Sequence, residues 1–355
     1  MFAFGSNRAG TVKSGWRRCV WLLAVVLVGM PAARAVSCKT QTMMTEAERD
    51  ALANASRMVA TDVQQGNTQA LRAATIPAIA NDFGAIAASA QNLQPLIAHA
   101  TITVDNLYGL DAADVAPGTA ETDFACGIPG SLMSVGMSFH NLPAGQYAVA
   151  IVHATGVQQP QLLTLVLQQT NGQWMLAGFF SHPMTLAGHD GVWFWTQARA
   201  YAQRQMKWNA WIYYAAAKRL QRPVEFLTSP NLEMLQHEAA SVKPEGFPLG
   251  KPVELTGMNG SFSVTQIAAT DALGPLDLSV EYTPTAAQAG ALNDPVAARQ
   301  QVTAAMQALL AQHPELRVAF HGIWMQAEEG GSQAYALELP MDQIEPETQT
   351  SSGAH

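Results

Sequence analysis

Basic residues and cysteines are scarce in this chain of 355 residues. Lys and Arg number 19 against 27 Asp and Glu, charged residues make up 13%, and there are three cysteines. An acidic chain is repelled by polyanions, which argues against nucleic acid or an anionic membrane surface as partner. Its longest apolar run, Val20 to Met30, is too short to span a bilayer as a stable helix. Also missing are a Ser nucleophile elbow, a phosphate loop, a dinucleotide fingerprint, HExxH and CxxC. Their absence argues against the common hydrolases, kinases, dehydrogenases and zinc proteases, and no cofactor is expected.

The few basic residues are unevenly placed. Arg8, Lys13, Arg17 and Arg18 precede the apolar run, and Ala33-Arg34-Ala35 offers small residues for cleavage. This is the pattern of a secretory leader over residues 1–35, so the mature chain is expected to begin at Val36 in the periplasm or outside the cell. Removing the leader takes away five basic residues and no acidic one, leaving 14 against 27, a formal charge of −13. Two cysteines remain, Cys38 and Cys126. In an oxidising compartment such a pair is expected to form a disulfide. The rival is a lipoprotein anchored at Cys38, because Ala35-Val36-Ser37-Cys38 loosely follows a lipidation box. Cys126 would then be free.

Thr45-Glu46-Ala47-Glu48 is a capping box opening a helix to about Gln65, and a second helical stretch runs from Thr68 to Ile97, broken at Pro77. From Ala100 the period changes to two, with strands at Ile102 to Tyr108, Met133 to Phe139, Tyr147 to Ala154, Leu162 to Gln168 and Trp174 to Phe180. Asn141 to Gly145 and Asn171-Gly172 are hairpin signals. Helices first and an antiparallel meander afterwards predict an α+β fold. This order, with the closing hairpin Leu165 to Phe179, resembles the nuclear-transport-factor-2-like domains, over roughly residues 45–182. The resemblance implies helices packed into a curved, cone-like sheet with a pocket at its mouth, used by some members for isomerase or cyclase chemistry and by others for binding. Asp82, Tyr108, Asp123 and His153 are of the residue types such pockets use.

The large side chains concentrate between Gly178 and Leu220. Phe194, Ala198 and Tyr201, then Ala210, Tyr214 and Ala217, recur at helical spacing and resemble one tetratricopeptide helix-turn-helix unit closed by Pro223. One such unit cannot bury its apolar face alone and must cap a neighbour. The segmentation expected is a helix-sheet domain over 36–185, the aromatic hairpin with a capping helix over 186–243, and a linker over 244–252. A small β-β-α-β-β domain then covers 253–344, with a disordered tail over 345–355. Its helix is expected from Pro295 to Gln312, followed by strands from Leu316 to Gln326 and from Ala334 to Leu339.

Two functional readings follow. One is an exported, non-catalytic binding or scaffold protein that holds a small apolar molecule or a peptide against Trp193, Trp195, Tyr201, Trp211 and Tyr214. The other is an envelope enzyme of isomerase or hydrolase type, with His189 as general acid or base oriented by Asp190 at the cone mouth. The bland counterparts are that these aromatics are interdomain core and that His189 and Asp190 cap the helix before Trp193. A seam between two copies of the chain is a third arrangement. His182 and His189 with Asp190 are too few for a metal site, His321 reads as a core or edge histidine, and His140 and His153 have no partner visible in sequence. No metal is expected.

Overall fold

Thr45 and Glu48 close a reciprocal cap, with the Thr45 N–H donating to Glu48 Oε2 at 2.8 Å and the Glu48 N–H donating to Thr45 Oγ1 at 3.2 Å. That cap starts α1 (Glu46–Gln64), which ends at Gly66 with φ of 69°. The computed structural model describes residues 36–346; the expected leader over 1–35 and nearly all of the tail lie outside them. Before α1 lies β1 (Ser37–Thr40). After it come α2 (Thr68–Ala73), α3 (Pro77–Ala80), α4 (Gly84–Ile97), β2 (Thr101–Asp111), β3 (Glu121–Gly127) and β4 (Ser134–His140). The chain continues through β5 (Gln146–Thr155), β6 (Gln161–Thr170), β7 (Gln173–Pro183) and the short pair β8 (Thr185–Leu186) and β9 (His189–Asp190). The hairpin α5 (Gly191–Gln203) and α6 (Lys207–Gln221) follows, then β10 (Leu227–Thr228) and α7 (Pro230–Ser241). The last part is β11 (Val253–Gly257), β12 (Gly260–Thr270), β13 (Asp277–Thr283), α8 (Ala286–Ala291), α9 (Pro295–Gln312), β14 (Gly322–Glu329) and β15 (Ser332–Pro340).

The α+β class is as expected, but the strands do not form one meander. β1, β2, β5, β6 and β7 make one antiparallel sheet in that order, while β3, β4 and β10 form a second. The chain leaves the first sheet after β2 and returns with β5. In β3 only Thr122, Phe124 and Cys126 point inward, an alternation too weakly apolar to read as a strand from sequence. Helices α1, α2 and α4 bury Leu52, Val59, Leu71, Leu93 and Ile97 against Ala150, Val152, Leu163 and Leu165 of the first sheet. Its other face sets Val149, Ile151 and Val166 against Phe124 and Met137 of the second sheet and against Val224, Leu227 and Leu232. β5 and β6 are therefore buried on both faces, which explains their unbroken apolar runs. The Cys38–Cys126 disulfide joins β1 of the first sheet to β3 of the second.

The C-terminal sheet runs β11-β12-β13-β14-β15. Its β13 and β14 are parallel, linked by the crossover through α8 and α9, and its other pairs are antiparallel. α9 occupies the residues predicted, whereas Pro314–Val318 forms a 3-10 turn in place of the start of a strand. β11 is an added edge strand. The expected separation of hairpin, linker and small domain is not how the apolar side chains pack. Phe194, Tyr213 and Leu220 of the hairpin share one continuous core with Ile267, Leu278, Leu309 and Phe320. The hairpin caps the C-terminal sheet, because that sheet offers the apolar surface its two helices need. α7 bridges cores, placing Leu232 in the two-sheet core and Leu235 in the C-terminal one.

Candidate functional site

The five aromatic residues read as a ligand platform do not line one surface. Trp195, Tyr201 and Tyr214 are buried, and Trp195 Nε1 and the Tyr214 hydroxyl donate to the Glu238 carboxylate at 2.8 and 3.2 Å. Tyr201 packs edge-on against Tyr213 at 5.0 Å. Trp193 is stacked on His189 at 3.7 Å and 8°. Trp211 meets Phe247 edge-on at 6.3 Å, beside a gap of about 130 Å³. These side chains are the seam between hairpin, α7 and C-terminal sheet.

His189 and Asp190, the alternative acid/base pair, are engaged in other contacts. Asp190 is the N-cap of α5, accepting from the Trp193 N–H at 2.8 Å, and the face of the His189 ring is stacked on Trp193. Asp82 and Asp123 are exposed, and Tyr108 and His153 are half-buried on β2 and β5. Beneath α1 lies an apolar helix–sheet core, with a gap of about 110 Å³ beside Met44 and Trp174.

A spacious cleft lies elsewhere, between β7, the second sheet and the outer face of α6. Its volume is about 760 Å³, within the range of small-molecule sites. Arg222 builds one wall by bonding the side chain and backbone carbonyl of Glu225, which turns the chain after α6. The turn seats Phe226 against Phe139 at 4.6 Å and Phe180 at 5.7 Å. Thr164 Oγ1 donates to Pro223 O at 3.0 Å and the Ser138 N–H donates to Phe226 O at 3.0 Å, fixing the turn to both sheets. Gly136 lets it come close, since a Cβ there would lie 2.9 Å from Thr228 Cγ2. Phe180 stays 43% exposed in the cleft, although it belongs to this aromatic row.

The polar lining is asymmetric. Lys218 and Arg219 line the cleft from α6 and form no ion pair with any described residue, but Arg219 Nη2 donates to Ala269 O at 3.3 Å and lies under the charge of Asp271. Glu121, across from them, accepts from Ser138 Oγ at 2.7 Å. His182 holds Pro183 O through Nδ1 at 2.9 Å, and its Nε2 is enclosed without a partner. Burial lowers the His182 pKa, opposed by the Pro183 and Arg222 backbone carbonyls, and the Arg219 charge lowers it further. The cleft can hold an apolar body against Phe180 and Phe226, with an anionic group toward Lys218 and Arg219.

Sequence reasoning noted His140 and His182 but missed Phe180, Lys218, Arg219 and Phe226. Lys218, Arg219 and Arg222 within five positions are a cationic cluster in a chain where acids predominate, and that was the available signal. Among the described residues the grouping with metal-ligand geometry lies away from the cleft, at Asp277, His321 and Glu338. Comparison with protein-family models, curated proteins and solved structures finds no match.

Proposed function

We propose that this is an exported, non-catalytic binding protein whose cleft takes an amphipathic anion, a molecule with an apolar body and one acidic group. The observation that carries the reading is the pairing of a partly exposed aromatic row, Phe180 and Phe226, with Lys218 and Arg219, which line the same cleft and form no ion pair with any described residue; Lys218 is the freer of the two, since Arg219 already donates to Ala269 O. Unpaired cations beside apolar surface bind an anion more strongly than cations in open water do. Export is supported by the leader-like N-terminus and by the Cys38–Cys126 disulfide, which persists in oxidising compartments. The same disulfide occupies the sulfur that lipidation would need. The enzymatic alternative rests on His189 and Asp190, whose geometry is a stack and a helix cap.

A matched pair of fluorescent probes tests the reading. Anilinonaphthalene sulfonate carries an anion, and phenylnaphthylamine has the same aromatic body without charge. Both should bind saturably, and Phe180→Ala should weaken both. The double substitution Lys218→Gln with Arg219→Gln should weaken the sulfonate about tenfold and leave the amine unchanged. Equal losses for both probes, or no saturable binding, would refute the assignment.

A further inference from the structure

Asp277 opens β13, His321 immediately precedes β14, and Glu338 lies on β15 paired with Trp324. The backbone at His321 is held from both sides, its N–H donating to Leu276 O at 2.8 Å and its carbonyl accepting from the Met341 N–H at 2.9 Å. Three neighbouring strands thus bring one imidazole and two carboxylates together, with one ligand atom from each lying within 4.8 Å of the others. His321 Nδ1 is 3.2 Å from Asp277 Oδ1.

Two further observations mark this place as more than an acidic cluster. Asp277 is 1% exposed, and its Oδ2 has no hydrogen-bond partner; Glu338 Oε1 is likewise enclosed and unpartnered. Enclosed carboxylate oxygens without donors are costly unless a cation or a proton stands against them. The fold also makes room there. A Cβ at Gly322 would lie 2.6 Å from Glu338 Oε1 and 3.2 Å from Asp277 Oδ1, so the missing side chain is what lets the carboxylates converge.

We propose that Asp277, His321 and Glu338 bind a divalent transition-metal ion of the zinc or manganese class. One imidazole and two carboxylates suit such ions, whereas calcium requires six or more oxygens and soft ions prefer thiolates. The His321 side chain is 51% exposed, so the ion reaches solvent on one side and keeps water in its remaining positions. The ion ties β13, β14 and β15 together at one end of the C-terminal sheet.

The test is calorimetric titration of the purified, chelator-stripped protein with zinc chloride and with manganese chloride, together with melting curves. Saturable one-to-one binding of at least one ion and a raised melting temperature are expected. Glu338→Gln and His321→Gln, both at partly exposed positions, should each weaken binding by at least about tenfold. Cobalt substitution should give visible absorption that His321→Gln alters. Asp277→Asn is a harsher variant because its site is buried, and the other two suffice if it fails to fold. No saturable binding, or binding that Glu338→Gln and His321→Gln leave unchanged, would overturn the site. A carboxyl–carboxylate pair sharing one proton would give the first of these results, with Glu338→Gln more stable than the parent.

Discussion

Glu238 ties the aromatic seam together through one carboxylate. Trp195 Nε1 donates to Oε2 at 2.8 Å, Arg199 donates to Oε2 through Nε at 2.8 Å and to Oε1 through Nη2 at 2.6 Å, and the Tyr214 hydroxyl donates to Oε2 at 3.2 Å. The Arg199 hydrogen bonds, aided by those from Trp195 and Tyr214, hold its pKa well below the usual value of 4.5, at about 2. Burial first, then the Glu238 charge, pushes the Tyr214 phenol up to about 12, so it remains a donor. A carboxylate with a depressed folded pKa contributes stability that is fully present above its unfolded pKa and is lost as pH falls through the folded value. Glu238→Gln should therefore cost about 1–3 kcal/mol at neutral pH. It should also flatten the acid limb of a stability profile between pH 4.5 and about 2, as denaturant melts at several pH values would measure. Asp190 as a cap was legible in sequence because cap and helix are neighbours. Glu238 was not, since its partners lie 24 to 43 positions away.

At the scale of elements, the hairpin closes because α5 begins with glycine. A Cβ at Gly191 would lie 2.5 Å from Gln221 Cγ and 3.2 Å from Ala217 O, while Gln221 Nε2 donates to Gly191 O at 3.0 Å. Alanine would improve helix propensity by about 1 kcal/mol but overpack the junction at a cost of about 1–3 kcal/mol. The steric cost wins, because a backbone carbonyl stands in the way as well as a flexible side chain, and Gly191→Ala should lower the melting temperature. The disulfide acts on a longer loop, spanning 88 residues between β1 and β3. Cys126→Ser should destabilise the protein by about 2–4 kcal/mol in chemical denaturation. Elements with local signals were readable: the Thr45 cap, the Asn171-Gly172 turn, whose φ angles are 52° and 79°, and the limits of α9. The edge strands β1 and β11 and the weakly apolar β3 carry their information in their partners, so sequence periodicity passed over them.

For the whole molecule, the question is which apolar face meets which. The periodicity of α5 and α6 says that a face must be buried, and it is silent about whether the first sheet or the last will bury it. Both surfaces were available, and the hairpin went to the C-terminal sheet, leaving the outer face of α6 to wall a cleft against β7 and the second sheet. The aromatic residues that drew the eye in sequence became core, and the cleft formed from Phe180, Lys218, Arg219 and Phe226, which are spread over β7, α6 and the turn beyond α6. Its existence depends on the Arg222–Glu225 turn, so Arg222→Ala should loosen Phe226 and weaken both naphthalene probes, unlike the charge substitutions at Lys218 and Arg219. The most direct test of the binding account is a crystal structure of the protein with anilinonaphthalene sulfonate. The account predicts the rings against Phe180 and Phe226, with the sulfonate within hydrogen-bond reach of Lys218 or Arg219. Rings seated among Trp193, Trp211 and Phe247, or a cleft that stays empty while the probe binds elsewhere, would contradict it.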